Sequence, residues 1–230
     1  GQSYASLGFL LAWLYLQQER GFDPEAQTHP EYLKLGQQVF YPFEANDGGY
    51  VRADAGGYQI LLNFRGGPGF FEMVSLSDVL DGRVSAEDIR DRVVLIGPLA
   101  PSLNDFFYTP YSQMMLGGDL DRPHRMAGVE FQANLTSQMI SAALDNRPLI
   151  RVWPSGWEAV WILLWTSAGA MMCWGLRRRR GTVLGLLVGA GVLGGLGYGA
   201  FLAGWWIPVV VPILGLGGAA IGITAFGAHL

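Results

Sequence analysis

The chain has 230 residues, of which 50% are hydrophobic and only 15% charged, with a formal net charge of −4. Soluble domains carry about 25% charge, so an ordinary soluble domain over the whole length is excluded, and the acidic balance argues against nucleic acid as a partner. The charge is also segregated. Residues 1–156 carry a net −7, whereas residues 157–230 hold only Glu158 and four arginines, with no Asp, Glu, Lys or Arg after Arg180. The pattern is an acidic polar part joined to a membrane part. Gly1 in place of a start methionine points to processing or to a preceding segment, and no signal-peptide pattern is visible. The lone Cys173 permits no disulfide within the chain.

Residues 2–18 (QSYASLGFLLAWLYLQQ) read as a helix. Its uncharged apolar core, Leu7 to Leu16, is about half the length a membrane span needs, which predicts a buried core helix; the rival is the tail of a span that begins upstream. Residues 19–57 are a polar excursion rich in Gly, Pro, Asp and Glu, with one short helix expected near PEYLKLGQQV. GYQILLNFRG reads as a strand closed by the turn GGPG. SLSDVLDG is a short helix with Ser75 as its cap and Gly82 as its stop. DRVVLIG is a continuous apolar β run, expected to be covered on both faces. PLAPSLNDFFYTPYS is a loop. GVEFQANLTSQMISAAL is a helix on which Phe131, Leu135 and Met139 recur every four residues, stopped by Asn146-Arg147-Pro148. Alternation of strands and helices predicts a sheet with helices on its faces.

Beyond residue 150 three apolar stretches follow. The first, WPSGWEAVWILLWTSAGAMMCWG, has Ser155 and Glu158 at capping-box spacing, Trp153, Trp157 and Trp161 toward one end and Trp174 at the other, as interfacial rings prefer. The second covers residues 182–203 and the third residues 207–226, separated by a tight turn at Gly204, Trp205 and Trp206. Cytoplasmic loops near spans carry the excess of Lys and Arg. The basic loop is Arg177, Arg178, Arg179 and Arg180. Placing it in the cytoplasm puts residues 1–150 outside.

Little points to catalysis. His29, His124 and His229 are scattered and make no zinc spacing. RGGPG lacks the Lys-Ser/Thr of a phosphate loop, and no nucleophile elbow is present. No enzyme, cofactor or metal is expected. The loop after the second β run is where open α/β sheets place ligands. It carries Asn104, Asp105, Phe106, Phe107, Tyr108 and Thr109. Two readings stand: a site for a small periplasmic ligand or a partner, or side chains of Asp105 and Thr109 that merely fix the loop. In the second span Gly181, Gly185 and Gly189 recur every four residues, as do Gly191, Gly195 and Gly199. Such edges let helices approach closely, within the chain's own bundle or against another subunit.

The succession YQILLNFRG, VSLSDVLDGR, DRVVLIGPLAPSLNDFFYTPYS and MAGVEFQANLTSQMI, followed by three spans, resembles the CHASE2 domain. The segments carrying the resemblance are Val93–Gly97, Asp105 with Thr109-Pro110, Gly128-Val129-Glu130 and Ala133-Asn134. Ala127 stands where the family often has a proline. The resemblance implies an extracytoplasmic sensory module of bacterial signalling proteins, typically followed by three transmembrane helices and a cytoplasmic output domain. The expected architecture is thus an α/β extracytoplasmic domain, a sheet with flanking helices, over residues 1–150, and a C-terminal three-helix transmembrane bundle over residues 151–230, in the bacterial inner membrane. With the sequence ending at Leu230, no output domain is expected in this chain. The first functional reading is therefore an accessory or scaffold subunit that contacts the lipid bilayer and other membrane protein subunits. The alternative is the input module of a signalling receptor.

Overall fold

The computed structural model describes residues 5–21, 32–113, 125–175 and 179–227. It divides into two compact units: Gly1–Pro42 with Leu62–Leu149, and Phe43–Leu61 with Ile150–Leu230.

In the first unit, helix α1 (Leu7–Arg20) starts where the Ser6 hydroxyl accepts the Phe9 N–H and stops at Gly21 in the left-handed region. It packs on helix α4 (Gly128–Leu144). Ala12 and Leu16 are buried there, while Leu7, Leu10 and Leu14 are exposed. The close approach is made at Gly8, whose N–H donates to Gln132 Oε1 at 2.8 Å and whose carbonyl accepts the Thr136 hydroxyl at 3.2 Å. A Cβ at Gly8 would press on the Gln132 carbonyl.

The short helix expected near PEYLKLGQQV is instead a hairpin. Strand β1 (Leu33–Leu35) pairs antiparallel with β2 (Gln38–Phe40). Alternate residues are buried: Leu33, Leu35, Gln38 and Phe40. Period two is the strand pattern, and Gly36 supplies the positive φ of +60° that a two-residue hairpin turn requires. Gly36 also sits against the backbone carbonyl of Ala143. Gly36→Ala is expected to cost about 1–2 kcal/mol from the left-handed backbone alone, and more from that collision. A lowered unfolding temperature of the purified chain checks this; an unchanged one contradicts it.

The wide sheet expected for this unit does not form. Besides the hairpin, its described residues contain one further pair, β3 (Phe106–Phe107) with β4 (Met126–Ala127). The segment read as a strand at GYQILLNFRG forms no ladder, and from residue 62 on it runs along α4. Backbone donors here and in the turn that follows go to side chains: Asn63 N–H to Gln138 Oε1 at 2.6 Å, Arg65 N–H to Asn134 Oδ1 at 2.8 Å, and Gly69 N–H to Glu130 Oε1 at 2.6 Å. Glu130, Asn134 and Gln138 stand four residues apart on α4, on one face, and all three are buried. Buried polar groups need partners, and these take theirs from the passing backbone. The apolar stripe expected on α4 is correspondingly reduced: Met139 is buried, but Phe131 and Leu135 are only half so. Residues 93–97 likewise form no strand, and Ile96 is 88% exposed. No neighbouring strand pairs with them, and β propensity alone builds no ladder.

Helix α2 (Leu76–Leu80) is capped by Ser75 as expected, and Gly82 follows it at a φ of +68°. Helix α3 (Ala86–Ile89), opened by a capping box between Ser85 and Asp88, was not anticipated. The core of the unit gathers Leu16, Leu35, Phe40, Met126, Met139 and Ala142.

In the second unit, α5 (Ser155–Gly175), α6 (Arg179–Leu202) and α7 (Val210–Gly227) follow in order. Among the described residues α6 is the one helix long and apolar enough to cross a membrane, over Arg180–Leu202. A soluble core helix would be mostly buried; this one is 11% buried. Over Val210–Gly222 α7 is apolar but shorter. In α5 the tryptophans and Glu158 dilute the hydropathy. The capping box expected at Ser155 is absent. Ser155 is already the first helical residue, Pro154 provides the carbonyl that Trp157 and Glu158 bond, and Glu158 Oε1 is buried without a partner among the described residues.

Helices α5 and α7 pack most closely, because glycines let them. Gly169 lies against the carbonyl of Leu216, and Gly215 against the Thr166 hydroxyl. Of the glycines in α6, Gly189 faces Leu216, whereas at Gly191, Gly195 and Gly199 an added Cβ would meet nothing within 4 Å. Arg177 and Arg178 lie outside the described residues. At the other end, β5 (Arg151–Val152) pairs parallel with β6 (Trp205–Trp206), so the start of α5 adjoins the α6–α7 turn. The Trp206 ring covers Gly48 and Gly49 of the polar excursion.

Candidate functional site

The loop singled out by sequence begins with a single 3-10 turn, Pro101–Leu103, closed by Asn104 at a φ of +51°. Asparagine tolerates that conformation better than other side-chain-bearing residues, and Asn104 is exposed. The chain then enters β3. Phe106 pairs with Ala127, and the Arg125 guanidinium lies over the Phe106 ring at 5.5 Å. Phe107 tilts against Phe131 at 5.5 Å. Tyr108 is 71% exposed. Thr109 fixes the loop: its N–H donates to the Ser112 hydroxyl at 2.9 Å, and its own hydroxyl accepts the Tyr111 N–H at 3.3 Å.

Asp105 does something else. Its carbonyl accepts the Gly128 N–H at 2.9 Å, which docks the loop onto the first residue of α4. Its carboxylate lies so close to Gly128 that a Cβ there would overlap both oxygens. The absent side chain therefore places an acid at the mouth of a 17-residue helix, where backbone N–H groups are unspent and the dipole favours negative charge. Glu130 Oε2 accepts the Ala127 N–H at 3.2 Å, so the same helix start is held from within.

Beside Asp105 opens a cavity of about 450 Å³. Leu7 and Leu11 of α1, residues 94–98, Phe107 and Val129 form mostly apolar walls; Asp105 and Gln132 are its polar groups. Gly97 packs directly on Val129 and pins one wall to α4. Of the loop residues named from sequence, the structure brings Asp105 and Phe107 to the cavity. Asn104, Phe106, Tyr108 and Thr109 do not line it. Sequence reasoning missed Leu7, Leu11, Val129 and Gln132. Those on α1 come from nearly a hundred residues away, and no local signal marks them. No group of three or more His, Cys, Asp or Glu able to hold a metal occurs among the described residues.

The family model of the CHASE2 domain matches residues 1–171, which covers the first unit and most of α5. No curated protein matches the chain, and no solved structure does. The match spans well over half of the chain and contains the loop, the cavity and the polar face of α4 alike. CHASE2 domains are extracytoplasmic sensory modules, and this chain belongs to the CHASE2 domain family.

Proposed function

We propose that this chain is the sensory input module of a bacterial transmembrane receptor, without enzymatic activity or cofactor of its own. Residues 1–150 stand on the periplasmic side of the inner membrane, and α5, α6 and α7 cross it. A small ligand enters the cavity beside Asp105, and the spans carry the resulting shift to a cytoplasmic output. The cavity at the start of α4 is the observation that carries the reading, because it sits in the domain whose family senses. Three features support the topology. Helix α5 has 21 residues, and a span needs about 20. The β5–β6 pair and the Trp206 ring over Gly48 put the polar excursion, the start of α5 and the Trp turn together. The four arginines fall where α5 gives way to α6, with Arg179 and Arg180 opening α6, and the positive-inside rule puts such a run in the cytoplasm. A second reading, an accessory subunit holding another membrane protein, rests on the open edge of Gly191, Gly195 and Gly199.

Cysteine accessibility tests the topology in a background where Cys173 is replaced by Ser. A cysteine at Asp47 is expected to react with a membrane-impermeant thiol reagent in whole cells. One at Arg178 is expected to react only after the cells are opened. The reverse pattern ends both the topology and the sensory reading built on it.

A further inference from the structure

In the first unit Asp78 pairs with Arg83 and Glu72 with Arg92, and the buried Glu130 accepts the N–H groups of Gly69 and Ala127. Asp105 differs. It is half-buried at the wall of the cavity, and its carboxylate has no hydrogen bond or ion pair among the described residues. No described Arg or Lys lines the cavity. Arg125 lies over the Phe106 ring, which is not one of its walls. The start of α4 offsets only part of the acid's charge. A helix N-terminus carries about half a positive charge, so a carboxylate set against Gly128 leaves the place negative.

The second polar group is Gln132, one turn along α4 from Gly128 and on the same face. Its Oε1 accepts the Gly8 N–H at 2.8 Å. The acceptor left for an occupant is therefore Asp105, while Gln132 keeps its amide N–H groups. The wall at residues 94–98 is apolar, and its backbone makes no hydrogen bond among the described residues. From Val93 to Ile96 half-buried and exposed residues alternate, as they do in extended chain. Such an unpaired edge is a template for another extended backbone. One cavity thus joins an unpaired anion, an amide donor and an open backbone edge to the apolar surfaces of Leu7, Leu11, Phe107 and Val129.

We propose that this cavity takes a hydrophobic primary amine, either a free molecule or the N-terminus of an apolar peptide. The proposal rests on the sensory reading and narrows it to a class of ligand. The ammonium group lies on the Asp105 carboxylate, and the apolar body lies against Leu7, Leu11 and Phe107. A peptide adds its first carbonyl to the Gln132 amide and runs its backbone along residues 94–98. Asp105 repels a carboxylate or phosphate, and a neutral alcohol forgoes the charge-assisted bond.

The test uses the full chain in mild detergent at low ionic strength. Its thermal unfolding is followed while phenethylamine, phenylethanol, phenylacetate or sodium chloride is added. Phenethylamine is expected to raise the unfolding temperature along a saturating, one-site curve, as a ligand of the folded state must. Phenylethanol, of the same shape without the charge, is expected to bind about tenfold more weakly. Phenylacetate and chloride are expected not to bind. Phenylalanyl-leucinamide separates the two sources: action at lower concentration than phenethylamine identifies a peptide N-terminus, and action at higher concentration a free amine. Its N-acetyl form is expected to lose the effect. Asp105→Asn keeps the size and removes the charge. It is expected to bring the amine down to the level of the alcohol and to leave the alcohol unchanged, a selectivity that a merely structural role would not move. Should that variant fail to fold, hydrogen exchange of the parent chain decides, because the amine is expected to slow exchange at residues 94–97. Equal binding of amine and alcohol, binding of phenylacetate in place of the amine, or an amine preference that survives Asp105→Asn overturns the amine class and leaves the cavity and the sensory reading standing. Binding of none of the compounds removes the cavity as a ligand site, and the sensory reading loses the observation that carries it.

Discussion

Replacing Asn134 and Gln138 together by leucine is expected to release the segment 63–65 from α4 and bring the first unit close to unfolding. Each leucine fills a similar volume but removes the acceptor of a backbone N–H, that of Arg65 or of Asn63. Asn134 has no exposed surface and also donates to the Glu130 carbonyl at 3.0 Å. An orphaned buried donor costs about 1–3 kcal/mol. The pair therefore removes roughly 4 kcal/mol, against a typical total of about 5–15 kcal/mol. Because the two sites share one segment, the costs need not add. Hydrogen exchange of the full chain is the direct measurement: protection at residues 63–65 is expected to fall by about two to three orders of magnitude. Unchanged protection would mean that these bonds do not hold the segment.

The second large effect lies in the other unit. Gly169→Leu is expected to separate α5 from α7, because the new side chain meets the Leu216 backbone, which cannot rotate away. If α5 and α7 cross the membrane as proposed, no hydrophobic force drives them together and close packing must supply the association. Overpacking of this kind costs about 1–3 kcal/mol or more. The lone thiol reports it. Cys173 Sγ lies 3.6 Å from the Ala220 carbonyl on the same interface, so its reaction with a maleimide should quicken markedly in the variant. Gly195→Leu, on the open edge of α6, is the comparison and is expected to leave the thiol rate unchanged. Equal rates in Gly169→Leu and the parent would remove the α5–α7 contact from the account.

Where the chain punctuates itself, the sequence is readable. Ser6 and Ser75 announce helix starts, Gly82 a stop, and the uncharged tail its long helices. Strands are easily overread. Residues 58–64 and 93–97 have the β-branched and apolar composition of a strand, but that composition measures fit to a pleated, packed surface and not an intrinsic ladder. The donors of the first segment go to side chains that no local pattern advertises. Glu130, Asn134 and Gln138, four residues apart, look in a sequence like the solvated face of an amphipathic helix. The hairpin at 33–40 is hidden because its decisive feature, the left-handed Gly36, is a backbone property. Of the residues lining the cavity, Asp105 and Phe107 are named by a rule about loops after strands, although residues 93–97 form no strand.

The polar face of α4 has a mechanical consequence. Four residues of helix advance about 6 Å, and two residues of extended chain advance about 6.6 Å. Asn134 and Gln138 therefore keep step with Arg65 and Asn63, like the teeth of a rack meeting a second rack of nearly equal pitch. A slide by one residue would carry the acceptors around the helix and out of reach of every donor at once. Small displacements are resisted by all the teeth together, and intermediate positions have no bonds to rest on. Residues 63–65 and the stretch of α4 from Asn134 to Gln138 are therefore held in a single register.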